Sequence, residues 1–293
     1  MDNFTLIKLR KETDMRILGA MLGGTISSYC VSGTIKLGKP SFVREFLLEN
    51  FPFNEFIIPE FDTYSSENAT PESYRDALKK IIDETKKSKY DGVLITHGTD
   101  TCAFFAQLAA RVLSGLNIPY IITGAMHAPD IDPKEASGNL MYAVQCLEEG
   151  RTGVVFRDDE GEQRLYQAHL IMSPDIYGIY SEYKDGSTFH PKDHPDFFTK
   201  RLPKILVVPA VPGSIVTDGS FDRVLISCNH SGTASVDLVP LVERWVAEGK
   251  ECYMAPIPRK GAVYESRKKL REAGAVELTG MPLEGAWAEV LLK

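Results

Sequence analysis

The stretch Gly92-Val-Leu-Ile-Thr-His-Gly-Thr-Asp-Thr101 decides how the rest of the chain is read. An apolar run, Val93-Leu94-Ile95, stops at a polar cluster in which Gly98 lets the backbone turn. An apolar-periodic segment from Cys102 to Leu113 follows at once. That order predicts a strand, a tight turn and a helix. In a parallel α/β sheet such a turn lies at the carboxyl edge, where ligands bind, and this one offers two hydroxyls and a carboxylate at a helix N-terminus. Thr and Asp are also what helix caps prefer, so the turn alone supports a capped helix and a ligand site equally.

The same pattern repeats outward. Arg16 to Leu22 reads as a strand ending in Gly23-Gly24-Thr25-Ile26, and Ser27 to Lys39 as a mobile loop or short hairpin at its carboxyl end. This glycine pair is not a phosphate loop, since neither the P-loop spacing nor GxGxxG is present. A helix from about Ser41 to Asn50 and a strand near Phe56 to Ile58 precede the polar segment Asp62 to Asn68. Thr70-Pro71-Glu72-Ser73 is a capping signature that opens a helix to about Lys87. Strand Tyr120 to Thr123 ends in Gly124-Ala-Met-His127, helix 135–149 leads to strand Gly153 to Phe156, and periodicity then weakens. Strands alternating with helices predict a parallel sheet covered on both faces. Tyr180 to Leu202 is poor in apolar residues and rich in Lys, Asp, His and Pro, and reads as a linker. Beyond it come strands at 205–208, 224–227, 251–255 and near Val276, and helices at 236–248, 264–273 and 282–292. The expected class is α/β: a large doubly wound parallel-sheet domain over 1–182, a linker over 183–203, and a smaller α/β domain over 204–293.

The 293 residues are enough for two domains, and a 43% apolar, 25% charged composition is that of a globular chain. A net charge of −7 without a basic block argues against nucleic acid and acidic membrane surfaces, leaving a small molecule or another protein as partner. No apolar run reaches the roughly eighteen residues of a membrane span, and Met1 to Arg16 lacks the apolar core of a secretory signal. The five cysteines are scattered, which fits reduced thiols in a cytoplasm, and no clustered metal ligands stand out.

Three polar turns, Gly23–Thr25, Ser65–Asn68 and His97–Thr101, are expected along one sheet edge, with Gly124-Ala125 as a fourth. Their shared chemistry is hydroxyl plus carboxylate, with N–H groups at helix starts. A Thr hydroxyl attacks an acyl carbon once a neighbour removes its proton, and paired N–H donors hold the oxyanion that forms.

Gly23-Gly24-Thr25-Ile26, His97-Gly98-Thr99-Asp100-Thr101 and Ile122-Thr123-Gly124-Ala125-Met126, in that order and separation, resemble the bacterial-type L-asparaginase (asparaginase/glutaminase) family. The resemblance runs from about Met15 to the end. It implies that Thr25 is the nucleophile, that Thr99 assists it, and that Asp100 holds the substrate's α-amino group. It further implies that Ser66 binds the α-carboxylate and that the Ala125 carbonyl meets the side-chain amide, with Gly24, Glu67 and Gly98 lining the substrate. No cofactor and no metal are implied. A homodimer or homotetramer is, with sites bordering two subunits. The expected activity is hydrolysis of the side-chain amide of asparagine or a related small amino-acid amide by a cytoplasmic enzyme.

Departures from the family pattern set the alternative. In Ala168-His-Leu-Ile-Met-Ser-Pro-Asp175, Leu170 stands where the family has its catalytic lysine. Thr34 replaces a tyrosine that serves the nucleophile, with Tyr29 nearby as a substitute and His169 as another candidate proton carrier. Glu67 replaces a neutral residue, Glu135 stands where an aspartate is common, and His230-Ser-Gly-Thr233 is an uncommon version of a small-domain loop. His97 reads as a hydrogen-bonded structural histidine. The alternative function is a catalytically impaired homologue that binds an amino acid or related ligand without efficient hydrolysis.

Overall fold

The computed structural model describes residues 15–38, 41–186, 192–214, 216 and 219–293. Residues 1–14, Lys39 at the end of the expected loop, and 187–191 (with Pro191) in the expected linker lie outside them. In chain order the elements are β1 (Arg16–Met21), β2 (Ser28–Val31), β3 (Thr34–Leu37), α1 (Ser41–Asn50), β4 (Glu55–Ile57), α2 (Pro71–Lys87), β5 (Gly92–Thr96), α3 (Cys102–Val112), β6 (Tyr120–Thr123), α4 (Pro133–Glu148), β7 (Gly153–Arg157), β8 (Gln163–Tyr166), β9 (Ile171–Met172), β10 (Ser181–Glu182), β11 (Ile205–Pro209), β12 (Arg223–Ser227), α5 (Val239–Ala247), β13 (Glu251–Ile257), α6 (Glu265–Glu272), β14 (Val276–Thr279) and α7 (Leu283–Leu292). They form two compact units that alternate along the chain. The first takes the residues up to Ser65, Lys80–Gly98 and Leu116–Leu165; the second takes Ser66–Lys79, Thr99–Gly115 and Tyr166–Lys293.

The first unit is built on the sheet β4-β1-β5-β6-β7-β8, in which β1 pairs in parallel with both β4 and β5, β5 with β6, and β6 with β7. Its central strands are apolar on both faces; every residue of β5 and β6 is buried, as expected where both faces are covered. From β1 the chain goes to β4 on one side and then returns to β5 on the other. The strand order therefore reverses between β1 and β5, and the crevice outside their carboxyl ends is where open α/β sheets take ligands. Of the expected mobile loop or short hairpin, the described part, Ser28–Leu37, is a hairpin. Ser32 and Gly33 have positive φ (51° and 78°), which suits a two-residue turn joining β2 and β3. The acidic Asp158-Asp159-Glu160 is the exposed turn after β7, closed by Asp158 N–H donating to the Glu162 carbonyl at 2.8 Å.

Two helix starts show how side chains set the elements. At α2 the Thr70 N–H donates to Ser73 Oγ (2.9 Å) and the Ser73 N–H to Thr70 Oγ1 (3.1 Å), the reciprocal cap expected from the sequence. Helix α4 begins two residues earlier than its apolar periodicity predicts, because Asp132 caps the Lys134 N–H at 3.1 Å and Pro133 takes the first helical position.

The second unit carries the parallel sheet β11-β12-β13-β14. Trp245 and Val242 of α5 and Leu270 of α6 pack on one apolar cluster with Val224, Ile226 and Met254. Ala286 and Val290 of α7 form another with Leu225, Tyr253 and Ala255. Helix α3 lies against α7, where Gly285 leaves room for the Gln107 amide. Gln107 in turn donates to the Ile171 carbonyl at 3.0 Å and fixes β9. No helix among the described residues is long and apolar enough to cross a membrane.

Candidate active site

In the first unit the polar turns continue the sheet beyond its strands. Tyr64 N–H donates to the Leu22 carbonyl (3.1 Å), Leu22 N–H to Thr96 (3.0 Å) and His97 N–H to Thr123 (2.9 Å), so the segments at Tyr64, Leu22, His97 and Thr123 run side by side. Gly24 has φ 83° and its backbone lies so close to Gly98 that a Cβ at Gly24 would be 2.3 Å from the Gly98 Cα. Only glycine fits both the conformation and the space. Thr25 follows Gly24 in a single turn of 3-10 helix, Thr25–Ser27, held by Ser27 N–H and Ser28 Oγ, which both donate to the Gly24 carbonyl (3.0 and 2.9 Å). Gly124 approaches the His97 carbonyl in the same manner, with a Cβ there falling 2.4 Å from that oxygen. The structure thus brings Gly24, Gly98 and the Gly124-Ala125 turn onto one sheet edge.

Helix α4 pins the Ala125 turn. The Glu135 carboxylate accepts from Met126 N–H (2.8 Å), His127 N–H (3.2 Å) and His127 Nδ1 (2.9 Å), and Asn139 Nδ2 donates to the Gly124 carbonyl (3.0 Å). Asn139 belongs to no motif in the sequence; its one signal there is a polar residue on the apolar stripe of α4. His127, Asp132 and Glu135 bring one potential ligand atom each within 4.8 Å of one another. The carboxylate of Glu135 is already engaged by three donors and Asp132 caps α4, so the trio reads as a structural clasp.

His97 is fully buried, with Nδ1 2.8 Å from the Gly98 carbonyl and Nε2 3.4 Å from the Tyr64 hydroxyl. Burial pushes its pKa down to about 4, against a weaker upward pull from the Gly98 carbonyl. The neutral ring with its proton on Nδ1 satisfies both contacts, which makes His97 a brace beneath the turn. In the hairpin, Tyr29 stacks over the Cα of Gly38, and Cys30 N–H donates to Asp130 at 2.7 Å; Thr34 is exposed.

In the second unit two short 3-10 turns, Ser66–Asn68 and Thr99–Thr101, are tied together. Thr101 Oγ1 donates to the Ser66 carbonyl (2.8 Å) and accepts from the Tyr74 hydroxyl (2.7 Å), so buried Ser66 and Thr99 and exposed Glu67 and Asp100 belong to one assembly. Burial raises the pKa of the Tyr74 phenol and keeps it protonated. The Tyr180 hydroxyl donates to the Thr99 carbonyl at 2.8 Å. Neither tyrosine stands out in the sequence, because each acts across dozens of residues and leaves no local motif.

Leu170 is half-buried and its methyl groups lie over Gly186, where a Cβ would come within 2.3 Å of Leu170 Cδ2. His169 is also half-buried; desolvation first, then the Arg111 charge, hold its pKa below the ordinary imidazole value, against an opposing pull from Glu182. The Asn229–Thr233 loop after β12 is a closed turn, with Asn229 N–H donating to the Thr233 carbonyl at 2.9 Å and Ser231 Oγ 3.0 Å from Thr233 Oγ1. All five cysteines are free thiols.

Residues 16–168 match the family model described as Asparaginase, N-terminal. The chain is similar to a glutamyl-tRNA(Gln) amidotransferase subunit from Methanopyrus kandleri, 32% identical over 40% of this chain and 27% of that protein. A protein of the same description from Methanosphaera stadtmanae is 30% identical over 96% of this chain and 72% of its own length. The alignment with the first of these thus spans about a quarter of the relative, and with the second about three quarters. Among solved structures, the thermostable L-asparaginase from Thermococcus kodakarensis superimposes with a TM-score of 0.70 at 18% identity, covering 95% of this chain and 92% of that one; this is a likeness of fold. With the family model matching more than half of its residues, the chain belongs to the asparaginase family.

Proposed function

We propose that the protein is an amidohydrolase that cleaves the side-chain amide of asparagine or a related small amino-acid amide. The observation that carries this reading is the backbone contact of Gly24 with Gly98 at the reversal point of the first sheet, which sets the residue before Thr25 against the residue before Thr99. In the proposed reaction Thr25 Oγ attacks the amide carbon and loses its proton, and the collapsing tetrahedral intermediate expels the nitrogen as ammonia once it has been protonated. Water then attacks the acyl–Thr25 ester and releases the acid. Thr99 assists at the reacting end, Asp100 holds the α-amino group, and Ser66 the α-carboxylate. Glu67, exposed on the same turn as Ser66, disfavours a second carboxylate on the substrate and welcomes a cationic group. Five free cysteines support a reducing, cytoplasmic setting, and a homodimer or homotetramer is the proposed assembly. The amidotransferase description of the relatives makes glutamine the second amide to assay.

Leu170 favours a second reading, a binding protein that has kept the pocket. A leucine moves no proton, and a positioned general base contributes on the order of 10²- to 10⁴-fold. Ammonia release from a panel of amides, run beside calorimetric titration with L-aspartate and L-asparagine, separates the two. Turnover that disappears in Thr25→Ala supports the hydrolase; turnover unchanged in that variant sinks the Thr25 assignment. Tight binding with no turnover in the parent chain supports the binding protein.

A further inference from the structure

The main chain of the Thr99–Asp100 turn is anchored by a buried phenol lying 81 residues away in the sequence. Tyr180 sits on the segment that follows Leu170, donates its proton to the Thr99 carbonyl at 2.8 Å, and is 2% exposed. Its ring lies 6.4 Å from that of Tyr166, and the buried Cys102 thiol at the start of α3 is a neighbour of the same hydroxyl. Burial pushes the Cys102 thiol up to about 12, so it is a neutral partner and no nucleophile.

From this geometry we infer that Tyr180 is a positioning residue for Thr99 and Asp100, compensating in orientation for the charge that Leu170 does not provide. The inference rests on the reading of Thr99 and Asp100 as site residues. A single turn of 3-10 helix is weakly held by its own hydrogen bonds, and a donor from outside fixes where its side chains point. Because the phenol gives its proton to a carbonyl, Tyr180 orients the turn and transfers nothing. The segment that supplies a proton carrier in the resembling enzymes here supplies a main-chain anchor.

The test is Tyr180→Phe in the full chain, which keeps the ring and removes only the hydroxyl. The expected result is a kcat lower by on the order of 10- to 100-fold and a KM raised by about fivefold or more, since Thr99 at the reacting end and Asp100 at the α-amino group are both displaced with the turn. Faster amide hydrogen exchange is expected in peptides covering residues 96–102. Cys102→Ala, which touches the same phenol but leaves the Thr99 bond in place, is expected to keep kcat within about twofold. An unchanged kcat in Tyr180→Phe overturns the inference and leaves the proposed function standing, and so does an equal loss in Cys102→Ala, which marks general loosening. Absence of ammonia release by the parent chain on every amide instead removes the hydrolase reading. L-Aspartate binding then becomes the readout: affinity weakened more than about fivefold in Tyr180→Phe supports the anchor, and equal affinity overturns it. A parent chain that neither turns over nor binds overturns both.

Discussion

Gly24 and Gly98 touch through their backbones, with the space for a Cβ on Gly24 already filled to within 2.3 Å of the Gly98 Cα. A side chain there meets main chain on the far side, which cannot swing away as a flexible side chain would. Gly24→Ala is expected to destabilise by about 2–4 kcal/mol, combining the clash with the strain of φ 83°. It is also expected to lower amide turnover by about 100-fold or more. Thermal melting and ammonia release measure the two effects, and full activity would show that the two turns can separate without consequence.

Glu135 is the clamp on the Ala125 turn. Glu135→Gln removes the charge and replaces one acceptor oxygen by an NH₂ group facing N–H donors, so at least one of the Met126 and His127 bonds is lost. A stability loss of about 1–3 kcal/mol is expected. If the Ala125 carbonyl meets the substrate amide, KM rises roughly five- to tenfold. Steady-state kinetics decide this; a change in kcat with KM untouched would place the Ala125 turn outside substrate binding.

His97 makes folding stability depend on pH. Its folded pKa of about 4 lies below the ordinary value of 6.5, so the unfolded chain binds the proton more readily. The stability associated with the neutral buried ring is fully present above pH 6.5, declines as pH falls, and levels off below about 4, for a total of roughly 3 kcal/mol. Urea midpoints at pH 7.0, 5.5 and 4.5 should fall more steeply in the parent chain than in His97→Gln. Parallel slopes would assign the acid sensitivity to other groups, among them His169 and His194, whose pKa values burial also lowers.

Arg267 and Glu277 form a two-bond ion pair (3.0 and 2.8 Å) in the second unit, with side chains only 10% and 15% exposed. Removing one partner leaves the other charge poorly solvated, although Arg271, 4.0 Å from Glu277, softens the loss. Arg267→Ala is expected to lower stability by about 2–4 kcal/mol, and the double variant Arg267→Met with Glu277→Leu by less. Guanidinium denaturation of both distinguishes a desolvated pair from a surface one, for which the single variant would cost under about 1 kcal/mol.

How much of this was legible in the sequence follows from the range over which each feature is encoded. Strands such as β5 and helices such as α1 show in local periodicity. The polar turns stand out because each one ends an apolar run: Gly24 and Thr25 after β1, Gly98 and Thr99 after β5, Ala125 after β6. The reciprocal Thr70–Ser73 cap is likewise local. The Asp132 cap was hidden because periodicity marks where a helix is buried and not where its hydrogen bonding begins. After Phe156 the strands β9 and β10 are two residues each, too short for any period to register. The supports of the turns, Tyr74 on Thr101, Tyr180 on Thr99 and Asn139 on Gly124, are single side chains reaching across the fold. Nothing beside them in the chain announces the partner.

The alternation of the two units along the chain bears on how the protein opens. Gly98 and Thr99 are joined by one peptide bond, yet the first closes a segment of one unit and the second begins a segment of the other. Where each unit melts cooperatively, neighbouring amides in this turn report different opening free energies, and solvent exchange changes abruptly between two adjacent residues. The chain also changes unit at Ser65/Ser66 and Gly115/Leu116, where no helix or strand is crossed, and at Lys79/Lys80 and Leu165/Tyr166, where α2 and β8 run continuously across the boundary. Partial unfolding of the second unit would therefore free two short internal stretches, Ser66–Lys79 and Thr99–Gly115, along with the C-terminal part of the chain, and proteolytic nicks would fall at internal seams as well as near the end of the polypeptide.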